Sequence, residues 1–369
     1  MNLSRQLISM LKNIMKNNKI LLSGGGTMGS VSPLLAVYQE IKSRQPKTEF
    51  LFVGTKSGPE KAAVESYKIP FASIPAGKFR RYFAWQNFVD PFWILAGFFQ
   101  SFKIIRRFKP QAIMIAGAYV GVPLAWAGWL LKVPVLVHQQ DIEIGLANKL
   151  MAKVAKEITV SFDVSLSDFS QSKKAVLTGN PLRSEFYECD KEKSRTLFDL
   201  KSDLPVILIT GGGTGSQTIN GLVEKALPKI TKFAQVIHTT GQGKNFSFNS
   251  DNYHQYEFLS HEMPEALCAA DLVVSRAGLS TLTELAVTAK PAVIIPLYQT
   301  HQELNAQHYQ KHSAVVVLSE PGLNPEMFAR MLRELLMDKE KLKALSENIS
   351  KIMPRDGAVR VAEELLGLM

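Results

Sequence analysis

The sequence predicts an α/β protein of two Rossmann-like domains, each a doubly wound parallel sheet. Three observations carry the α/β part of that expectation. Strand-like and helix-like segments alternate along nearly the whole chain, which favours parallel sheets. Two glycine-rich turns lie about half a chain apart, Gly24-Gly25-Gly26-Thr27-Met28-Gly29 and Gly211-Gly212-Gly213-Thr214-Gly215. Each follows a short apolar run and precedes a helical pattern, the arrangement by which α/β domains turn backbone N–H groups and a helix N-terminus toward an anion. At 369 residues the chain is also long for one core and suits two domains. Two similar domains facing one cleft, with phosphate-bearing substrates between them, are therefore expected.

The first half opens on Lys19 to Ser23, an apolar strand, followed by its glycine turn and a helix over Pro33 to Arg44 with Leu34, Leu35, Val37 and Ile41 on one face. Phe50 to Gly54 reads as a strand and Phe71 to Ile74 as a weaker one. Phe88 to Phe108 is a long aromatic-rich helix. Ala112 to Gly117 is a buried strand, Val122 to Leu131 a helix of small residues, Val133 to His138 a strand and Leu146 to Ala155 a helix. Glu157 to Ser161 is expected to be the last strand of this half. The polar region from Asp163 to Pro205 contains Gly179-Asn180-Pro181 and one charged helix, which puts the domain boundary at 182/183.

The second half repeats the scheme. Val206 to Thr210 leads into the second glycine turn and the helix Ile219 to Ile230. Ala234 to Thr239 is a strand, Tyr256 to Leu259 is extended, Leu272 to Ser275 is a strand, Ser280 to Thr288 a helix, and Ala292 to Ile295 and Ala314 to Leu318 are strands. Helices over Pro325 to Met337, Lys339 to Ile352 and Ala358 to Leu366 close the chain. The domains expected are thus 19–182 and 183–354, with a terminal helix in 355–369 available to complete the first.

Composition narrows the function classes. The net charge of +10 and a pI near 9.4 favour anionic partners. No zinc-finger spacing or basic–aromatic nucleic-acid module is present, so no nucleic-acid partner is expected. Cys189 and Cys268 share no paired spacing; they fit a reducing compartment, argue against a disulfide framework or zinc site, and are expected as small buried or neutral residues. No segment offers about 18 uncharged apolar residues, so no transmembrane helix is expected. Residues 1–18 read as a basic amphipathic helix: Leu3, Leu7, Leu11 and Ile14 are helically spaced, with Arg5, Lys12 and Lys16 between them. Lys78 to Trp85 mixes basic and aromatic residues. The twelve uncharged residues Pro91 to Phe102 are too few to span a bilayer but, with Lys103, Arg106, Arg107 and Lys109 after them, suit an anionic membrane surface.

The chemistry-bearing pattern is denser in the second half. Ser275 to Glu284 runs from a strand tip through a glycine turn into a helix. Its small hydroxyl residues let a diphosphate reach the helix's first-turn N–H groups. Glu284, one turn further in, can accept both hydroxyls of a ribose. After the next strand, His301-Gln302-Glu303-Leu304-Asn305 supplies amides and an imidazole suited to sugar hydroxyls. The first turn lacks the Lys-Ser/Thr ending of a P-loop, and no acid follows the second strand as a nicotinamide site requires.

Together these segments resemble the MurG family, membrane-associated glycosyltransferases of peptidoglycan synthesis. Gly25 to Pro33 is similar to the family's Gly-Gly-Thr-Gly-Gly-His-x-x-Pro, and Gly117-Ala118-Tyr119 to its Gly-Gly-Tyr-like turn. His138-Gln139-Gln140-Asp141 with Gly145 and Asn148-Lys149 is similar to His-Glu-Gln-Asn with its later Gly and Asn-Lys. Gly179 to Arg183 is similar to Gly-Asn-Pro-x-Arg, Gly211 to Asn220 to the family's second glycine turn, and Ser275 to Glu284 and His301 to Ala306 to its nucleotide and sugar motifs. The resemblance covers nearly the whole chain after residue 18.

It implies a GT-B fold and a metal-independent, cofactor-free inverting transfer of N-acetylglucosamine from UDP-N-acetylglucosamine. The acceptor it implies is the muramyl 4-hydroxyl of lipid I, an undecaprenyl-pyrophosphoryl-linked muramyl peptide, at the cytoplasmic face of the cell membrane. The alternatives are another lipid acceptor, a UDP-N-acetylglucosamine epimerase, or a degenerate relative that only binds UDP-sugar. On the same resemblance Glu284 takes the ribose and Leu279, Ser280, Thr281, Leu282 and Thr283 surround the diphosphate. Leu259 lines the uracil pocket, Arg183, Gly213 and Thr214 border the nucleotide, and Gln302 and Asn305 read the sugar. Thr27, Met28 and Gly29 belong to the acceptor turn, with Asp141 and Asn148 near the transferred sugar or acceptor. The departures concern the base. Ser30 stands for the family His, Gln139 for its Glu and Asp141 for its Asn. A serine needs a partner to act as a base near neutral pH, which leaves Asp141, His138 and Ser30 as the catalytic candidates.

Overall fold

A computed structural model describes residues 17–58, 60–77, 86–169 and 175–369, the side chains of 86–91 excepted. The amphipathic stretch expected over 1–18, save its last two residues, and the basic–aromatic stretch Lys78 to Trp85 lie outside the described residues.

The chain divides into two compact units, Met1–Ser184 with Asp356–Met369, and Glu185–Arg355. The first unit is built on strands β1 (Lys19–Ser23), β2 (Glu49–Gly54), β3 (Phe71–Ser73), β4 (Ala112–Ile115), β5 (Val135–Gln139), β6 (Glu157–Val160) and β7 (Ala175–Leu177). They form one sheet in the order β3-β2-β1-β4-β5-β6-β7, every pair parallel. Glu157–Val160 is therefore not the last strand, as the sequence suggested. The three-residue β7, only partly buried, is too short to show a period.

Helices α1 (Ser32–Arg44), α2 (Glu60–Ser66), α3 (Gln86–Phe108), α4 (Gly121–Leu130) and α5 (Leu146–Ala152) connect these strands. On one sheet face Ile20, Leu22, Phe52, Met114 and Leu136 pack with Leu34, Val37 and Ile41 of α1. On the other Leu21, Ile113, Ile115, Val135 and Val137 pack with Ile105, Leu124 and Met151. Alternate strand residues thus serve opposite layers, the burial expected of a fully covered parallel sheet.

The second unit begins with a short helix, α6 (Lys191–Leu197). Its sheet comprises β8 (Val206–Thr210), β9 (Gln235–Thr239), β10 (Tyr253–Tyr256), β11 (Leu272–Ser275), β12 (Ala292–Ile294) and β13 (Val316–Val317), ordered β10-β9-β8-β11-β12-β13 and all parallel. Helices α7 (Gln217–Ile230), α8 (Met263–Ala269), α9 (Leu279–Val287), α10 (Gln302–Lys311), α11 (Pro325–Met337) and α12 (Lys339–Ile349) surround it. Ile219, Val223 and Leu227 of α7 meet Phe328 and Leu332 of α11 over the strand residues Ile207, Ile209 and Val274. The last helix, α13 (Gly357–Gly367), packs in the first unit, where Val361, Ala362 and Leu365 join the α1 core.

The expectation for the cysteines fails. Cys189 and Cys268, 79 residues apart, form a disulfide with Cα atoms 5.5 Å apart. It ties the segment before α6 to α8. Spacing along the chain carries no trace of this pairing, because only the packing of α6 against α8 brings the two residues together.

In each sheet the strand order reverses direction at one place, between β1 and β4 and between β8 and β11. At such switch points the loops leaving adjacent strands diverge and leave a crevice at the strands' carboxyl ends. Both glycine turns occupy these positions.

Candidate active site

In the first unit, Gly24 to Gly29 leaves β1 and Gly117-Ala118-Tyr119 leaves β4. Gly26, Gly117 and Ala118 have φ of +79°, +76° and +67°. Gly26 lies against the Tyr119 ring: a β-carbon there would sit 3.3 Å from it. The rim of the turn, Gly26 and Thr27, is exposed, and Met28 and Gly29 are half-buried.

Ser30 is 8 % exposed. Its Oγ accepts from Gly25 N–H at 2.9 Å, and its single proton can go to Gly25 O or Thr27 O, both at 3.2 Å. The hydroxyl is a strut of the turn, fully engaged with backbone, and this geometry gives it no partner that would make it a base.

His138 is completely buried at the end of β5. Its Nδ1 lies 2.9 Å from Thr159 Oγ1 and its Nε2 2.9 Å from Asn180 Oδ1. The amide oxygen only accepts, so Nε2 carries the proton and Nδ1 accepts from the threonine. Burial pushes its pKa down to about 4, against the raising effect of the Asn180 bond. The ring is neutral and ties β5 to the Gly179-Asn180-Pro181 segment. It is a positioning group.

Gln139 shapes the loop that follows. Its Nε2 donates to Asp141 O at 2.6 Å and Glu143 O at 3.2 Å, while its Oε1 accepts from Asn148 Nδ2. An ionised glutamate at this position has no proton for those two carbonyls, so this loop depends on the amide. Asn148 is thereby fixed beside Gly117, and its Oδ1 is buried without a hydrogen-bond partner among the described residues. Asp141 is half-buried in the same loop. Arg183 belongs to this unit, donating from Nη1 to Tyr67 Oη at 3.2 Å, in the unit that does not contain Glu284.

A carboxylate that the sequence reading passed over completes the cluster. Glu60 is 0 % exposed. Its Oε1 accepts from Thr55 N–H at 2.7 Å and from the Thr55 hydroxyl, and its Oε2 from Gly26 N–H at 3.2 Å.

In the second unit, the glycines of the Gly211 turn divide by role. A β-carbon on Gly215 would lie 2.0 Å from Thr240 O, and one on Gly211 2.3 Å from Ser216 N. These two let the turn lie flat on its neighbours. Around Gly212 nothing lies within 4 Å, and at Gly213 only Phe258, at 3.9 Å. Gly213 and Thr214 are exposed, and Lys244 Nζ donates to Thr214 O at 2.7 Å. Leu259 is buried beside the exposed Phe258.

Across the switch point, α9 starts at Gly278, whose surroundings are open and which supplies no side-chain cap. No acid lies in the first turn. The N–H groups there face a place an anion can reach. Ser280, Thr281 and Glu284 are half-buried on one face, and Ser280 Oγ has no partner among the described residues. Leu282 and Thr283 turn into the core, Thr283 bonding back to Leu279 O at 2.8 Å.

Arg276 braces this arrangement, a residue whose role the sequence did not disclose. It is 7 % exposed. Nη1 donates to Ile295 O and Pro296 O at 3.1 Å, and Nη2 to Ser216 Oγ at 2.8 Å and Glu320 Oε1 at 2.5 Å. Glu320 Oε2 accepts from Tyr298 N–H at 3.1 Å. Burial opposes ionisation of Glu320, yet the bonds from Arg276, Tyr298 and Thr218 hold its pKa below the ordinary range. One guanidinium thus joins the glycine turn, the α9 approach and the loop after β12. Asn305, buried, donates to Ala277 O at 3.2 Å and so holds the same loop from the other side, while Gln302 Oε1 accepts from Leu297 N–H at 3.1 Å. Among the described residues no cluster of three His, Cys, Asp or Glu could hold a metal ion.

Comparison with known proteins adds to this geometry. Residues 20–160 match the glycosyltransferase family 28 N-terminal domain and residues 206–361 its C-terminal domain. A UDP-N-acetylglucosamine–N-acetylmuramyl-(pentapeptide) pyrophosphoryl-undecaprenol N-acetylglucosamine transferase of Clostridium perfringens is 38% identical over 333 residues, 89% of this chain and 92% of that one. Its counterpart in Clostridium botulinum is 37% identical over 352 residues, 94% and 98% of the two chains. The crystal structure of Acinetobacter baumannii MurG superposes with a TM-score of 0.72 at 23% identity, covering 95% of this chain and 99% of that one.

Proposed function

The chain belongs to glycosyltransferase family 28, among its MurG-type N-acetylglucosaminyltransferases, and we propose that it transfers N-acetylglucosamine from UDP-N-acetylglucosamine to the muramyl 4-hydroxyl of lipid I, giving lipid II and UDP. The observation that carries this reading is the open, uncapped start of α9, with Ser280, Thr281 and Glu284 on one face and Arg276 behind it. Diphosphate oxygens would accept from the first-turn N–H groups beside Ser280 and Thr281, and Glu284 would accept the two ribose hydroxyls. As the glycosidic bond breaks, negative charge grows on the departing UDP. Preorganised N–H dipoles stabilise it there without reorganising. Gly212 and Gly213 leave room for the nucleotide near Phe258 and Leu259, and Gln302 would meet the sugar.

The first unit would take the acceptor. Asp141 is the base candidate, because Ser30 is tied to backbone and His138 is walled into the interior. The exposed residues Phe92, Trp93, Leu95 and Phe99 of α3, with Trp129 and Leu130 of α4, would rest on an anionic membrane surface at its cytoplasmic face. Exposed Lys103, Arg106, Arg107 and Lys109 follow them. Among the described residues no helix is long and apolar enough to cross a membrane.

The test is incubation with UDP-N-acetylglucosamine and a short-chain lipid I analogue, with and without chelator. Release of UDP with formation of the disaccharide product supports the proposal. UDP-sugar binding without transfer to any lipid acceptor sinks it. For the surface, Trp93→Ser with Phe99→Ser is expected to weaken sedimentation with anionic vesicles at least tenfold.

A further inference from the structure

The first glycine turn has the form of an anion site, yet an anion is already in it. Glu60 lies at the start of α2 with its carboxylate directed back under the turn. It receives Gly26 N–H, Thr55 N–H and the Thr55 hydroxyl. No lysine, arginine or histidine pairs with it among the described residues.

The backbone around it is shaped to admit it. A β-carbon on Gly25 would lie 2.5 Å from Glu60 Oε1, one on Gly54 3.0 Å from its Cγ, and one on Gly58 1.9 Å from its Oε2. Three glycines, from the first turn, the end of β2 and the loop after it, thus make the space, and Gly26 and Thr55 supply the bonds. A concavity lined with N–H groups that holds a carboxylate is an anion nest. Its occupant is part of the chain.

We infer that Glu60 is the resident anion of this turn, a positioning residue that holds the acceptor-side loop in its working shape. The turn then receives a neutral, hydroxyl-bearing part of the acceptor and not its diphosphate. The inference rests on the proposal that the first unit binds the acceptor. A phosphate arriving here would find Gly26 N–H already bonded and a buried negative charge beside it, repelled through a medium that screens poorly. A sugar or peptide hydroxyl carries no such penalty and can bond to the exposed rim at Gly26 and Thr27.

The experiment removes the carboxylate and offers a free one. Glu60→Ala leaves the nest empty, so sodium formate at tens of millimolar should raise its melting temperature over equal sodium chloride by several degrees more than it raises that of the wild type, which shares the open start of α9 but has its nest filled. This readout needs no acceptor, so it stands apart from the assigned reaction. Formate no better than chloride on Glu60→Ala overturns the inference, as does formate stabilising wild type and variant equally. Glu60→Gln, which keeps the volume, serves if the alanine variant does not fold. Its NH2 faces donors, and kcat/KM for the lipid acceptor should fall at least tenfold while KM for UDP-N-acetylglucosamine holds. Glu60→Gln matching the wild type in both constants also overturns it.

Discussion

Replacing two glycines only two positions apart should give opposite results. Gly215 has φ +69°, and a β-carbon there would lie 2.0 Å from Thr240 O, 2.6 Å from Thr240 C and 2.7 Å from Gly241 Cα. All three are backbone atoms, so no rotamer change relieves the clash. The left-handed conformation costs an alanine about 1–2 kcal/mol and the overpacking about 1–3 kcal/mol, so Gly215→Ala should lose roughly 2–5 kcal/mol. For a unit of this size that is a fall of roughly 5–15 °C in melting temperature. Gly213 is outside the left-handed region, and its nearest neighbour would be Phe258 at 3.9 Å. Gly213→Ala should stay within about 0.5 kcal/mol of wild type. Its methyl group would instead stand where the nucleotide is proposed to approach, and the Kd for UDP should rise several-fold. Differential scanning calorimetry and isothermal titration with UDP measure both. If Gly215→Ala melts with the wild type, or Gly213→Ala is destabilised with unchanged UDP affinity, the division of the turn into packing and ligand-facing glycines is wrong.

Other outcomes follow from the same structure. The folded His138 titrates at about 4, below its unfolded value of 6.5, so the unfolded chain binds the extra proton between them and stability falls as pH drops through that window. The loss should approach about 3 kcal/mol near pH 4 and be absent above pH 7, and His138→Gln should flatten that part of the stability curve measured by urea titration. Asp141→Asn should lower kcat by about 10²-fold or more if Asp141 is the base, with the KM for UDP-N-acetylglucosamine unchanged; full activity in single-turnover assays would send the search for the base elsewhere. Reducing the Cys189–Cys268 bond, which closes a long loop, should destabilise the second unit by up to about 4 kcal/mol. A melting temperature indifferent to reductant, with both thiols alkylated only after its addition, would contradict that.

Much of the fold was legible in the sequence, because the burial that makes a parallel strand also makes an apolar run. Val206 to Thr210 and Leu272 to Ser275 are buried at every position and read directly as strands. The face formed by Ser280, Thr281 and Glu284 follows from helical spacing alone. Short or polar elements were not legible: β7, α2 and α8 are too brief to show a period, and α10 carries so many polar residues that its sequence reads as a polar cluster and not as a helix.

The α/β class, the family, and the two strand tips that carry glycine turns all reside in local order and are read from the amino acids alone. Tertiary structure decided what each residue does there. Cys189 meets Cys268 only because α6 packs on α8. Ser30, a candidate base in the sequence, becomes a strut because its hydroxyl is enclosed by backbone. Glu60, unremarked among surface-like residues, is buried because Gly54 and Gly58 beside it and Gly25 from a turn far back in the sequence leave room for its carboxylate. Burial and hydrogen-bond partners are properties of neighbours in space, and a side chain's charge and chemistry follow from them.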